Sequence, residues 1–265
     1  MKKVLTLFVL IVLALSSISI AQTSLEDYKK MDYIKVKEGQ METFLKLSQS
    51  ELKSKFQAMS ESGLIKTWSL YKAQYPGGEK SGYNFISIIR TTDIDKLIEQ
   101  FNPIASPEYV PHAGPAINTN ALDKITSLMK SEVWRVENFI QGDDSPPSKY
   151  MTMDYMEVAP GKNPDYLMLE EEIAKPIHEE RINRDTMEQW EVHSLIVPSG
   201  EEYGYNFSTA NYFDNLSDIE FGFTNEVIKQ AMGGKNANIT ELFDTIYSTR
   251  DQVKVELWQL VTYVD

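Results

Sequence analysis

Gly82-Tyr83-Asn84-Phe85 returns 122 residues later as Gly204-Tyr205-Asn206-Phe207. The same offset carries Met31-Asp32-Tyr33 onto Met153-Asp154-Tyr155, and Trp68 onto Trp190. It also carries Pro76, Gly78 and Glu79 onto Pro198, Gly200 and Glu201. Trp134 meets Trp258 at an offset of 124, so a small insertion separates the ends of the copies. All four tryptophans of the chain thus pair off. Rare residues matched at a fixed spacing point to an internal repeat. The first repeat is expected over 22–140 and the second over 150–265, joined by a polar, proline-containing linker over 141–149.

One copy reads as a sequence of short elements. Tyr33-Ile34-Lys35-Val36-Lys37 alternates as a strand does, and Gly39 ends it. Met41, Phe44, Leu45, Leu47, Leu52 and Phe56 recur at helical spacing. A strand is expected from Ile65 to Gln74, then a Pro-Gly turn over 75–79, then a strand from Tyr83 to Arg90. Thr92-Asp93 is a fitting cap for a helix from Ile94 to Phe101. After a proline-rich loop, a helix from Ala121 to Met129 and a strand from Val133 to Ile140 follow. The second copy repeats the order and ends in a strand from Val253 to Val264.

The expected fold class is therefore α+β: two tandem ferredoxin-like units, each β-α-β-β-α-α-β. Each antiparallel sheet is covered by helices on one face and too apolar for water on the other. The two open faces are expected to pack against each other as an intramolecular dimeric α/β barrel.

Before the first repeat, Lys2-Lys3, the apolar run Val4–Leu15 and the small residues Ser19 and Ala21 form a secretory signal pattern over 1–21. The run is shorter than the roughly 20 residues that span a bilayer. A periplasmic or secreted chain is expected. It has no cysteine, hence no disulfide and no thiolate chemistry. The formal charge of −13, made more acidic when Lys2 and Lys3 leave, disfavours nucleic acid and anionic membranes as partners.

The element order, the strand Thr67-Trp68-Ser69-Leu70-Tyr71, the hairpin into Gly82-Tyr83-Asn84-Phe85 and the doubling resemble the dimeric α/β-barrel superfamily. The NIPSNAP-like and antibiotic-biosynthesis-monooxygenase-like groups are the most similar. The resemblance spans essentially the whole of 22–265. It implies a monomer with internal pseudo-twofold symmetry, since the fusion supplies what other members gain by pairing. It also implies cavities between helices and sheet. Members include cofactor-free oxygenases, haem enzymes, isomerases and ligand binders, so the fold alone fixes no activity.

The chain has three histidines. His178, after Pro176 on the first helix of the second copy, is the leading candidate for a general base or, with haem, an axial ligand. Its counterpart is Phe56, which equally suits a plain core position. In Gln189-Trp190-Glu191-Val192-His193, alternation puts Glu191 and His193 on one face and Trp190 on the other. His193 is the second catalytic candidate, with a solvated edge or an inter-half contact as the plainer account. His112 sits in the proline-rich loop, where exposure is the simplest explanation. The duplicated pairs Tyr83-Asn84 and Tyr205-Asn206, with Trp68, Trp190 and Glu191, are ligand-binding candidates. Turn geometry explains the asparagines as well, and core packing the tryptophans.

Glu170-Glu171-Glu172 matches no metal spacing and reads as a solvated face. No nucleotide or hydrolase motif is present. No cofactor is expected beyond the haem option. Two functions follow: a module binding a small, partly apolar or aromatic molecule between helices and sheet, or a cofactor-free oxygenase or isomerase using His178, Trp190 and Asn206.

Overall fold

The computed structural model describes residues 27–77, 82–100, 119–140, 147–233 and 239–265. The signal-like segment 1–21 and His112 lie outside them.

Eight strands form one closed antiparallel barrel. They are β1 (Tyr28–Val36), β2 (Thr67–Tyr75), β3 (Phe85–Thr91), β4 (Thr126–Ile140), β5 (Tyr150–Glu157), β6 (Gln189–Val197), β7 (Phe207–Phe213) and β8 (Asp251–Val264). Around the ring the order is β1-β3-β2-β8-β5-β7-β6-β4. Strands that correspond under the 122-residue offset lie half-way round the ring from each other. In place of two sheets stacked face to face, the strands close into one ring through hydrogen-bonded seams. β2 pairs with β8, and β4 pairs with β6. Edge pairing satisfies the four outer strands' backbone groups, which a stacked sandwich would leave open.

The barrel is a packed core. Met31, Tyr33, Ile86 and Trp134 from one half meet Met153, Tyr155, Ala210 and Trp258 from the other. Outside the wall, the first half has α1 (Met41–Leu47), a π-helical turn over Ser48–Leu52 and α2 (Lys53–Glu61), then α3 (Ile94–Gln100) and α4 (Thr119–Ile125). The second half has α5 (Asn163–Leu169), a π turn over Glu170–Ala174, α6 (Lys175–Asn183), α7 (Asn225–Ala231) and α8 (Ile239–Thr249). Trp68 lies in the outer core under the first long helix and Trp190 in that under the second. No helix among the described residues is long and apolar enough to cross a membrane.

Two local details follow the sequence closely. Gly39 and Gly161 turn the chain out of β1 and β5 at φ 73° and 83°, where a side chain is disfavoured. Asn84 Oδ1 accepts from Val36 N at 2.9 Å, and Asn206 Oδ1 from Val158 N at the same distance. Boundaries differ at β1, which begins at Tyr28 and not at Tyr33, and at β4. Thr126–Met129, expected to end a helix, is strand, because Ser127 and Leu128 pair with Lys35 and Ile34 of β1. Ladder bonds outweigh the local helical spacing there.

A candidate active site under the second helix

The ionisable residues of the interior fall into three groups. At one end of the barrel, Glu132 accepts from the hydroxyls of Tyr33, Tyr203 and Tyr205, from Trp134 Nε1 and from Lys130. Its counterpart Glu256 accepts from Tyr83, Trp258 and Lys254. Burial would raise Glu132, but Lys130 and the hydroxyls outweigh it and hold the carboxyl below its usual range. Tyr33 and Tyr155 touch hydroxyl to hydroxyl between these carboxylates. Each carboxylate takes a lysine, a tryptophan and a tyrosine, and Glu132 takes Tyr33 and Tyr203 as well.

At the other end, Lys29 and Arg90 pair with Glu191, and Arg90 also grips Asp27. His193 lies between Glu191 and Ser208, 3.3 Å and 3.1 Å away. Tyr212 donates to Glu191 at 2.6 Å. Alternation along β6 thus sends Glu191 and His193 inward. Burial would raise Glu191, but Lys29 and Arg90 hold it well below the carboxylate range. Burial, with the Lys29 charge, pulls His193 down to about 4. This cluster has no mirror image. The positions half-way round from Lys29, Glu191 and His193 hold Met151, Ser69 and Tyr71.

The third group lies outside the wall, in a cavity of about 250 Å³ between β5, β7 and the long helix of the second half. Glu170, Ala174, His178 and Arg181 form the helical stripe that lines it; Thr152, Asp154, Thr209 and Asn211 line it from the strands, and Arg250 closes a side. Glu170 is buried, contrary to the solvated face expected for Glu170–Glu172. Glu170, Ala174, His178 and Arg181 have the spacing of a single helical stripe, and that stripe faces the strands. Glu171 stays outside, paired with Lys175.

His178 is stacked on Trp190, ring centroids 5.2 Å apart, with Phe223 edge-on at 5.5 Å. Arg181 Nη1 stands 3.5 Å from His178 Nδ1. A guanidinium only donates, so Nδ1 accepts and the imidazole proton sits on Nε2. Burial, then the Arg181 charge, holds His178 well below its usual range and therefore neutral. Burial pushes Asp154 up to about 6 and Glu170 up to about 7, and pulls Arg181 down to about 10.

Among the described residues, five buried side-chain polar atoms lack a hydrogen-bond partner: Asp154 Oδ1, Arg181 Nε, Arg250 Nε, Tyr166 OH and Trp190 Nε1. The first three line this cavity, and the other two belong to the core beside it. Buried polar groups are nearly always paired, so such a cluster marks a place where a ligand or water can be held.

The equivalent place in the first half is a smaller cavity of about 120 Å³ lined by Phe44, Phe56, Trp68 and Leu70. Phe56 stacks on Trp68 at 4.4 Å, where His178 stacks on Trp190. Ser48 and Met59 stand where Glu170 and Arg181 do. Trp68 Nε1 is satisfied by Ser87, whereas Trp190 Nε1 is not. One half thus has an ordinary apolar interface, and the other has ionisable groups there.

The structure separates the residues singled out from the sequence. His178 and Trp190 belong to the cavity. Glu191 and His193 lie inside the barrel at one end; Tyr83 and Tyr205 lie at the other. Asn206 does not line the cavity with His178; it holds the backbone at Val158, as Asn84 does at Val36. Trp68 is core of the first half. Asp154, Glu170, Arg181 and Arg250 were not anticipated. The signal for two of them was comparison across the repeat, which shows Glu170 and Arg181 at places held by Ser48 and Met59.

The residues present do not fit a haem. His178 lies flat against Trp190 with one ring nitrogen turned to Arg181. The cavity is also below the ~300–1,000 Å³ typical of drug-sized ligands.

No family model matches the chain, and no curated protein does. Solved structures do resemble it. A candidate monooxygenase from Lactobacillus acidophilus superposes with a TM-score of 0.56 at 11% identity, covering 90% of this chain and 95% of that one. An anthrone oxidase-like protein gives 0.52 at 11% identity, covering 90% and 92%. A chlorite dismutase variant from Candidatus Nitrospira defluvii gives 0.50 at 8% identity, covering 89% and 91%. At such identities the likeness is one of fold: an α+β chain closed into the dimeric α/β-barrel architecture.

Proposed function

We propose that the chain is an exported, tandemly duplicated relative of the NIPSNAP-like and antibiotic-biosynthesis-monooxygenase-like proteins. In this reading it binds a small, partly aromatic molecule under the second-half helix and moves a proton on it, as a cofactor-free isomerase or oxygenase. The observation that carries the reading is that Glu170, His178 and Arg181 are buried at positions that correspond to buried Ser48, half-buried Phe56 and buried Met59. Burying such groups costs stability and is expected only where chemistry compensates for it. The fold's likeness to a candidate monooxygenase and an anthrone oxidase-like protein is compatible with it.

Within this reading Glu170 is the base. Its carboxyl, poised near 7, is matched to proton transfer at neutral pH. His178, neutral and protonated on Nε2, donates a hydrogen bond to the oxygen on which charge develops, and Trp190 fixes its plane. Glu170 takes a proton from an acidic C–H. The carbanion is then reprotonated at another carbon, or it adds dioxygen and the resulting peroxide loses water to leave a carbonyl.

The test is solvent-deuterium exchange into a panel of enolisable ketones and anthrone-like phenols, followed by NMR, with dioxygen uptake in parallel. At least one probe should exchange with the native chain and not with Glu170→Gln. His178→Phe, which copies the first half, should bind that probe and exchange it slowly. A panel that exchanges equally with Glu170→Gln removes the proposal. Secretion is checked by locating the chain in the extracytoplasmic fraction. Added haem should give no Soret shift.

A further inference from the structure

Two of the unpartnered cavity atoms are guanidinium nitrogens, Arg181 Nε and Arg250 Nε. Arg181 is only 4% exposed, and its counterpart Met59 shows that the helix can seat an apolar side chain there. A buried guanidinium nitrogen with no acceptor is costly, and carboxylate is the acceptor whose geometry it matches best. Asp154 lies in the same cavity near enough for both arginine charges to act on its carboxyl, but its Oδ1 and the two Nε atoms make no hydrogen bond. Beside the polar Thr152, Thr209, Asn211, Glu170 and His178, the wall has an apolar part that includes Phe213, Ile219 and Ile246, and Phe223, 40% exposed, belongs to it.

We infer that the cavity's ligand is a monocarboxylate on a single-ring or similarly small apolar body, its carboxylate taken by Arg181 and Arg250 and its ring laid toward Phe213 and Phe223. Asp154 Oδ1 then accepts from a hydroxyl or amine of the same ligand, so that a hydroxyaryl carboxylate answers all three unpaired atoms. A body of this size suits a cavity of about 250 Å³. The inference rests on the second-half cavity being the functional site, but not on any proton transfer there.

The test uses the chain without its first 21 residues, with benzoate, salicylate and 4-hydroxybenzoate as probes and benzamide as the uncharged match. Calorimetry and thermal melting should show at least one carboxylate binding, with benzamide weaker by about tenfold or more. Arg181→Met should abolish carboxylate binding while melting as a folded protein, and Arg250→Gln should weaken it. Benzamide binding as well as benzoate overturns the inference on the native chain alone, whatever becomes of the variants. So does carboxylate binding that survives Arg181→Met, or no carboxylate binding at millimolar concentration. Neutral ketones that exchange deuterium while carboxylates fail to bind would remove the anion and leave the proton-transfer reading. Carboxylates that bind in a chain inert toward every probe would do the reverse.

Discussion

Tyr33 and Tyr155, which correspond under the 122-residue offset, meet with their hydroxyls 2.9 Å apart. A single hydrogen bond cannot be symmetric between them. Tyr33 donates to Glu132 at 2.7 Å, so Tyr155 is the donor between the phenols. Tyr33→Phe removes the acceptor of one bond and the donor of another, whereas Tyr155→Phe removes a donor only. Tyr33→Phe should cost about 1–3 kcal/mol, and Tyr155→Phe less. Urea melts of the two variants compare them. Equal losses would show that the protons are not ordered as described.

Glu191 answers Lys29 and Arg90 in the barrel interior. Glu191→Ala leaves Lys29 buried and unanswered, and should cost roughly 3–5 kcal/mol. The residues half-way round are Met151 and Ser69, so Lys29→Met with Glu191→Ser copies an arrangement the barrel already holds. Arg90 keeps Asp27. The double variant should recover most of the loss, measured as a double-mutant cycle.

Glu170 and Asp154 should set a pH dependence of stability. Both carboxyls are raised on folding, to about 7 and about 6, so the folded chain holds their protons more tightly than the unfolded chain. Their contribution is full below the ordinary carboxylate range and is lost as pH rises through about 6 and 7. Between pH 5 and pH 8 the native chain should lose a few kcal/mol, on the order of the shift of Glu170 itself. Glu170→Gln should flatten that limb in urea midpoints. An unchanged slope would place Glu170 in contact with water.

His193 gives the opposite limb. Its folded value of about 4 lies below the ordinary 6.5, so its contribution is complete above 6.5 and disappears as pH falls toward 4. Glu191, Ser208, Lys29 and Arg90 are the groups that face it. His193→Gln, which offers a donor and an acceptor and does not titrate, should remove part of the acid limb and leave the alkaline one. NMR titration of the imidazole in the native chain checks the direction independently.

Much of the wall was legible because period-two alternation survives folding. Glu191 and His193 point together, and Trp190 points away, as their spacing requires. The 122-residue correspondence between strands was legible because Trp and Gly-Tyr-Asn-Phe are rare patterns that recur at that offset. The cavity was not, for two physical reasons. Glu170 shares its helical stripe with Ala174, His178 and Arg181, but it opens a run of three glutamates whose next member, Glu171, pairs with Lys175 in solvent. Asp154 in β5 and Arg250 just before β8 are far apart in the chain and are brought together only by the pairing of those two strands. The boundary at Thr126 failed similarly, since Ile125, Leu128 and Met129 have helical spacing but the pairing with β1 decides.

Closure also orders the chain in time. β8 is the last of the eight strands, and it fills the gap between β2 and β5. Until it arrives, the nascent protein is an open trough with two bare margins, however well its helices have formed. A lesion in Asp251–Val264 would therefore expose both margins at once.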